Sequence, residues 1–172
     1  MKPGPGCPPV MPMVILLSAL ALWPTLTLAQ SIADDRAALQ GIKEVKVAFD
    51  ITAGDAKALL ARLNVIDETR QSLIKQGVTP HFVLTFRGPA TVLVQTDQQK
   101  IKPEDRETVA RIAAKLKELR AAPGIESLEQ CNVAVRQQEV KRENVLPELT
   151  VVGNSWISLM AYQAKGYAYI AP

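Results

Sequence analysis

Glu44-Val45-Lys46-Val47-Ala48-Phe49 is the stretch on which the fold turns. Val45, Val47 and Phe49 alternate with Lys46 and Ala48, the period-two signature of a strand, and the run stops at Asp50. Gly54-Asp55 then reads as a turn and helix N-cap. Leu59, Leu63, Ile66 and Leu73 recur at near-helical spacing until Gly77 ends the helix. Phe82-Val83-Leu84-Thr85-Phe86 is a second strand, stopped by Gly88-Pro89. A strand, a long helix and a second strand form the unit that parallel pairing requires, because a parallel neighbour is reached only by a crossover of about a dozen residues or more.

The same alternation continues outward. Residues 89–96 read as a short helix. Pro103 fits a first helical position, and Glu104 and Asp105 suit the positive end of the helix dipole. Val109, Ile112, Leu116 and Leu119 form an apolar stripe that Pro123-Gly124 closes. Residues 125–130 are a weaker strand, Cys131-Asn132 follows, and a short helix runs to about Val140. Residues 149–152 read as a fourth strand, Gly153-Asn154 as a turn, Ser155 as a helix cap and 167–170 as a last strand. Strands at 44–49, 80–86, 125–130, 149–152 and 167–170 with helices between them predict an α/β fold, a mainly parallel five-stranded sheet with helices on both faces.

The beginning of the chain has a different character. Residues 14–22 read VILLSALAL, and Lys2 is the only formal charge before Asp34. The apolar run leads to Thr27-Leu28-Ala29, with small residues where a signal peptidase inspects them. We expect a signal peptide over 1–29, a polar, flexible lead-in over 30–42 and one domain over 43–172. That organisation implies a periplasmic or otherwise exported protein, touching a membrane only through an uncleaved leader. Loss of Lys2 lowers the formal charge from +3 to +2, which gives little pull toward nucleic acid or anionic lipid. Cys7 leaves with the leader, so Cys131 remains as a lone thiol in an oxidising compartment.

In open parallel sheets, ligands collect beyond the carboxyl ends of the strands. Four loops lie there: Asp50-Ile51-Thr52, Arg87-Gly88-Pro89, Cys131-Asn132 and Gly153-Asn154-Ser155. Cys131 falls between a strand and a helix, where the helix dipole lowers a thiol pKa, and Arg87 is placed to add positive charge. The competing reading is a small buried hydrophobe. His81 is the single histidine, at the start of a strand and therefore at the far end of the sheet from Cys131, as a partly exposed edge residue. No metal-ligand constellation, phosphate loop, dinucleotide fingerprint or nucleophile elbow is present, so no metal or cofactor is expected. Trp156, Tyr162, Tyr167 and Tyr169 concentrate near the C-terminus, as core or as a subunit interface.

Phe86-Arg87-Gly88-Pro89-Ala90, Cys131-Asn132-Val133-Ala134, the run from Leu146 to Val152 and the ending from Gly166 to Pro172 together resemble the DsrE/DsrF-like family. The resemblance extends from about Lys43 to Pro172. It implies a three-layer α/β/α domain assembled as trimers or hexamers, and a sulfur-relay role for some members. On that reading Cys131 accepts a sulfane sulfur as a persulfide from a donor protein and passes it on. Asn132 and nearby amides steady the anion, Arg87 positions it, and Gly88 and Asn154 shape the neighbouring loops. The alternative is a non-catalytic oligomeric binding or scaffold module in which the cysteine is incidental.

Overall fold

Val45, Val47, Phe49 and Ile51 fall on one face of β1 (Glu44–Ile51), and the alternation that put them there governs the whole sheet. The computed structural model of the chain describes residues 34–172, with Met1, Gly4 and Gly6. Most of the expected leader, Cys7 and the first residues of the lead-in (30–33) lie outside the described residues. Asp35–Pro172 is one compact unit.

The helix α1 (Ala56–Lys75) begins where Asp55 accepts from the Ala58 amide at 2.7 Å. It buries Ala56, Leu59, Leu60, Leu63 and Ile66 along one stripe. It leads into β2 (Thr79–Phe86), then a single turn α2 (Ala90–Leu93). A 3-10 turn at Pro103–Asp105 opens α3 (Arg106–Ala121), with the predicted Val109, Ile112, Leu116 and Leu119 buried. Next come β3 (Ile125–Cys131) and α4 (Asn132–Gln137). The latter ends before the predicted Val140, because Glu139 takes a left-handed φ of 51°. The chain finishes with β4 (Thr150–Val152), α5 (Ser155–Ala164) and β5 (Ala168–Ile170). The five strands predicted from the pattern are those observed, within two residues at each end.

The strand order is β4-β3-β2-β1-β5, and each pairing is parallel. The chain steps in one direction from β1 to β4, then returns across the whole sheet to β5. Right-handed crossovers require that a reversal of direction send the helix to the opposite face. Accordingly α1 and α3 pack together over Val47, Phe49, Phe82, Leu84 and Leu128, while α5 crosses the other face. Val135 of α4 joins the α1/α3 core. Phe49 and Phe82 meet edge to face inside it, 5.1 Å apart. The fold is therefore a three-layer α/β sandwich.

The face under α5 is chemically different. Register aligns Asp50 with Thr85 and Thr85 with Glu129, giving a polar row across β1, β2 and β3. All three are buried. Glu129 accepts from Tyr162 at 2.9 Å, from Ser127 at 3.4 Å and from Ser158, so α5 is tied down by a carboxylate as well as by Leu159. Farther down the sheet His81 lies between Glu126 (Nδ1, 2.7 Å) and Glu44 (Nε2, 3.5 Å). His81 is not an edge residue, because β2 is the middle strand. Tyr167 donates to the same Glu126. Burial pushes Glu126 up, but its contacts with Tyr167 and His81 outweigh this and hold the carboxyl below its usual range.

Burial and the Glu129 carboxylate push Tyr162 up to about 12; burial and Glu126 do the same for Tyr167. A phenol whose folded pKa exceeds its unfolded value of about 10 stabilises the fold fully below that pH and loses the contribution as pH rises through the folded value. Stability is therefore expected to fall between about pH 10 and 12. A tyrosinate absorbance titration checks this: all three phenols ionising near pH 10 in folded protein contradicts it.

Candidate functional site

Cys131 ends β3 and caps α4; Gly153-Asn154-Ser155 ends β4 and opens α5. The helices that follow these adjacent strands go to opposite faces of the sheet. Such a pair of neighbours is a topological switch point, the position at which open parallel sheets bind their ligands. Sequence patterning placed Cys131 at a strand end; the observed strand order places it at the switch.

The sulfur itself is enclosed, with the residue 3% exposed. Its Sγ accepts from the Ser155 amide at 3.4 Å, the first residue of α5. Burial pushes the thiol up. Contacts with Ser155 and the amides of Ala134 and Val133 act against it and prevail, so the thiol ionises below its ordinary range. The wall around the sulfur is thus made of backbone donors at the starts of two helices rather than of aliphatic groups alone.

Asn154, not Ser155, is the N-cap of α5. It is extended (φ −149°, ψ 118°), and its side chain accepts from the Trp156 amide at 3.0 Å. Ser155 is already helical and wholly buried, with no hydrogen-bond partner for its Oγ. Sequence reasoning treated Ser155 as a cap and missed it as a neighbour of the sulfur. The signal was present in the Asn-Ser pair, since Asn takes the cap readily and leaves the serine inside the first turn.

Arg87 departs from its expected role. Its guanidinium grips Asp50 through two hydrogen bonds, Nε to Oδ1 at 2.7 Å and Nη2 to Oδ2 at 2.6 Å. Tyr169 donates to the same Oδ2 at 2.7 Å, and the Trp156 ring lies 5.9 Å from the guanidinium carbon. The positive charge is spent on a buried carboxylate of β1 and is not among the groups acting most strongly on the thiol. Gly88 supplies the left-handed turn after β2 (φ 55°), and its carbonyl accepts from Thr91 at 3.1 Å. Gly54, after β1, touches the same loop: a Cβ there would stand 2.6 Å from the Pro89 Cβ. Asn132 is the first residue of α4, and among the described residues its side chain holds no hydrogen bond; the amides that favour the thiolate belong to Val133 and Ala134.

Gln130, on the opposite face, is fully buried and donates to Thr91 Oγ1 at 3.0 Å and to the Cys131 carbonyl at 3.2 Å. It fixes the backbone of the cysteine from behind. Among the described residues no group of three His, Cys, Asp or Glu could hold a metal ion, and no helix is long and apolar enough to cross a membrane.

Comparison with known proteins extends the fold and leaves the chemistry open. No family's sequence profile matches the chain. An uncharacterized protein of Aquifex aeolicus is 29% identical over 126 residues, 73% of this chain. The matched region spans about half of that relative, 55% of its length. A solved structure of a protein of unknown function from Methanobacterium thermoautotrophicum superposes with a TM-score of 0.57 at 16% identity, over 76% of this chain and 99% of that one. At that identity the likeness is one of fold.

Proposed function

We propose that this chain is an exported sulfur carrier in which Cys131 accepts and releases a single sulfane sulfur. The observation that carries the reading is the Cys131 sulfur held by the Ser155 amide at the β3/β4 switch point, where Ser155 and backbone donors lower its pKa against the pull of burial. The sequence resemblance to the DsrE/DsrF-like family, some of whose members relay sulfur, supports it. In the simplest exchange the Cys131 thiolate attacks the outer sulfur of a hydrodisulfide ion, HSS⁻. A new S–S bond forms to Cys131, the old S–S bond breaks, and hydrosulfide, HS⁻, departs as the persulfide proton passes to it. Cys131 sulfur is oxidised and the leaving sulfur reduced, with no external oxidant. The product anion, Cys–S–S⁻, carries the same charge as the thiolate it replaces and is held by the same donors.

Exposure to hydropolysulfide should add about 32 Da, one sulfur atom, to Cys131 in intact mass spectra, reversibly by reductant. Wild-type protein without the adduct, or Cys131→Ser protein that still acquires it, removes the reading. A second reading, an incidental cysteine in a binding or scaffold module, is favoured by the low exposure of Cys131; the same experiment separates the two.

The proposal includes self-association. Trp156, Ile157 and Met160 on the outer side of α5 are 62%, 63% and 62% exposed, and Ser155–Ala164 contains no charged residue. Such a surface meets its own copy without like-charge repulsion. Light scattering is expected to give a mass above that of one chain, and Trp156→Glu a lower one; a monomeric wild type contradicts this.

A further inference from the structure

Ser155 has a feature that helix formation does not explain. The residue is 0% exposed and its Oγ has no partner, whereas buried hydroxyls are normally satisfied. An orphaned hydroxyl costs stability, and an alanine would fit the same turn of helix without that cost. Its backbone amide is already committed to the Cys131 sulfur at 3.4 Å, which holds the serine beside the thiol.

The other polar side chains at the strand ends are committed elsewhere. Asn154 Oδ1 caps α5, Arg87 is locked on Asp50, and Gln130 Nε2 is divided between Thr91 and a carbonyl, while the buried, unpartnered Gln130 Oε1 can only accept. Thr85 also has a buried, unpartnered hydroxyl, but it stands lower on the sheet, in the row with Asp50 and Glu129. We infer that Ser155 is the side-chain donor of the site: its hydroxyl gives its hydrogen to the Cys131 sulfur when that sulfur is thiolate, and to the sulfur pair when it is persulfide.

The inference rests on Cys131 being the sulfur acceptor, but its test does not. The pH dependence of Cys131 alkylation by a small neutral haloacetamide reads the thiolate fraction directly. Ser155→Ala is expected to move the midpoint upward by about one pH unit and to slow labelling below that midpoint by about tenfold. Below the wild-type midpoint, where the thiol is neutral, thermal stability should be unchanged or higher, because the removed hydroxyl had no partner. Ser155→Thr, which keeps the hydroxyl, is expected to restore the wild-type midpoint. If Ser155→Ala does not fold, Ser155→Gly makes the same deletion and is read in the same way. An unmoved midpoint in a folded deletion variant overturns the inference, as does a Ser155→Thr midpoint that follows the deletion. A shifted midpoint in a protein that never takes up sulfur would leave Ser155 as the donor and remove the carrier function. Sulfur uptake with an unmoved midpoint would do the reverse.

Discussion

Arg87→Ala is expected to lower folding stability by about 3 kcal/mol, the low end for stripping the partner from a buried charge. Asp50 is 2% exposed and lies in the polar row beneath α5. Its two oxygens take both guanidinium donors and the Tyr169 hydroxyl. Without Arg87 the carboxylate keeps one neutral donor and no counter-charge. Arg87 itself is partly exposed, so some water reaches the vacated place and moderates the loss. The pair also joins three segments: β1 through Asp50, the end of β2 through Arg87, and β5 through Tyr169. Part of the lost stability should therefore appear as fraying of the C-terminal strand, which pairs over only three residues. Urea denaturation measures the total, and amide exchange at Ala168–Ile170 locates it. The double variant Asp50→Asn/Arg87→Gln should cost less than Arg87→Ala alone, because no buried charge remains. A loss below about 1 kcal/mol would place the pair with ordinary surface ion pairs.

Glu129→Ala is expected to cost about 2–4 kcal/mol, from three hydroxyls that lose a charged acceptor in a buried setting. Two of those hydroxyls, on Ser158 and Tyr162, belong to α5. The N-terminus of that helix carries the Ser155 amide to the sulfur, so loosening it should also expose the thiol. The variant should alkylate faster than wild type at a pH where both thiols are fully ionised. Glu129→Gln, which keeps one acceptor oxygen, should lie between the two. A Glu129→Ala protein with wild-type stability and labelling rate would show that Leu159 and the backbone hold α5 unaided.

Much of this architecture could be read from the sequence because it is written in local periodicity. The strand alternation of 44–49 and 82–86, the Asp55 cap and the stripe from Val109 to Leu119 each reflect forces acting within a few residues. The position of Cys131 at a strand end was legible for the same reason. Its neighbours were not. Which loop faces Cys131 depends on strand order, and the return of the chain from β4 to β5 across the sheet is a tertiary event with no local signature. Arg87 looked like a free cation because its partner, Asp50, sits on another strand and seemed to be loop rather than sheet. Ser155 looked like a cap because Ser and Asn compete for that position and only the backbone angles decide. The polar row Asp50-Thr85-Glu129 needs the register of three strands before it can be seen.

The proposed carrier function and the geometry at the β3/β4 strand ends bear on different questions. One concerns what the chain does, the other whether its sulfur can do it. Enclosure alone would make Cys131 an inert filler, as most buried thiols are. What distinguishes it is the competition between burial and the donors at the starts of α4 and α5, and the sign of that competition can be measured. The ultraviolet absorbance of the thiolate in the wild-type chain, with Cys131→Ser as the blank, gives the midpoint directly. A midpoint below that of an unperturbed cysteine thiol is the predicted result. A midpoint at or above it would mean that burial wins, and that Cys131 is packing material rather than a sulfur acceptor.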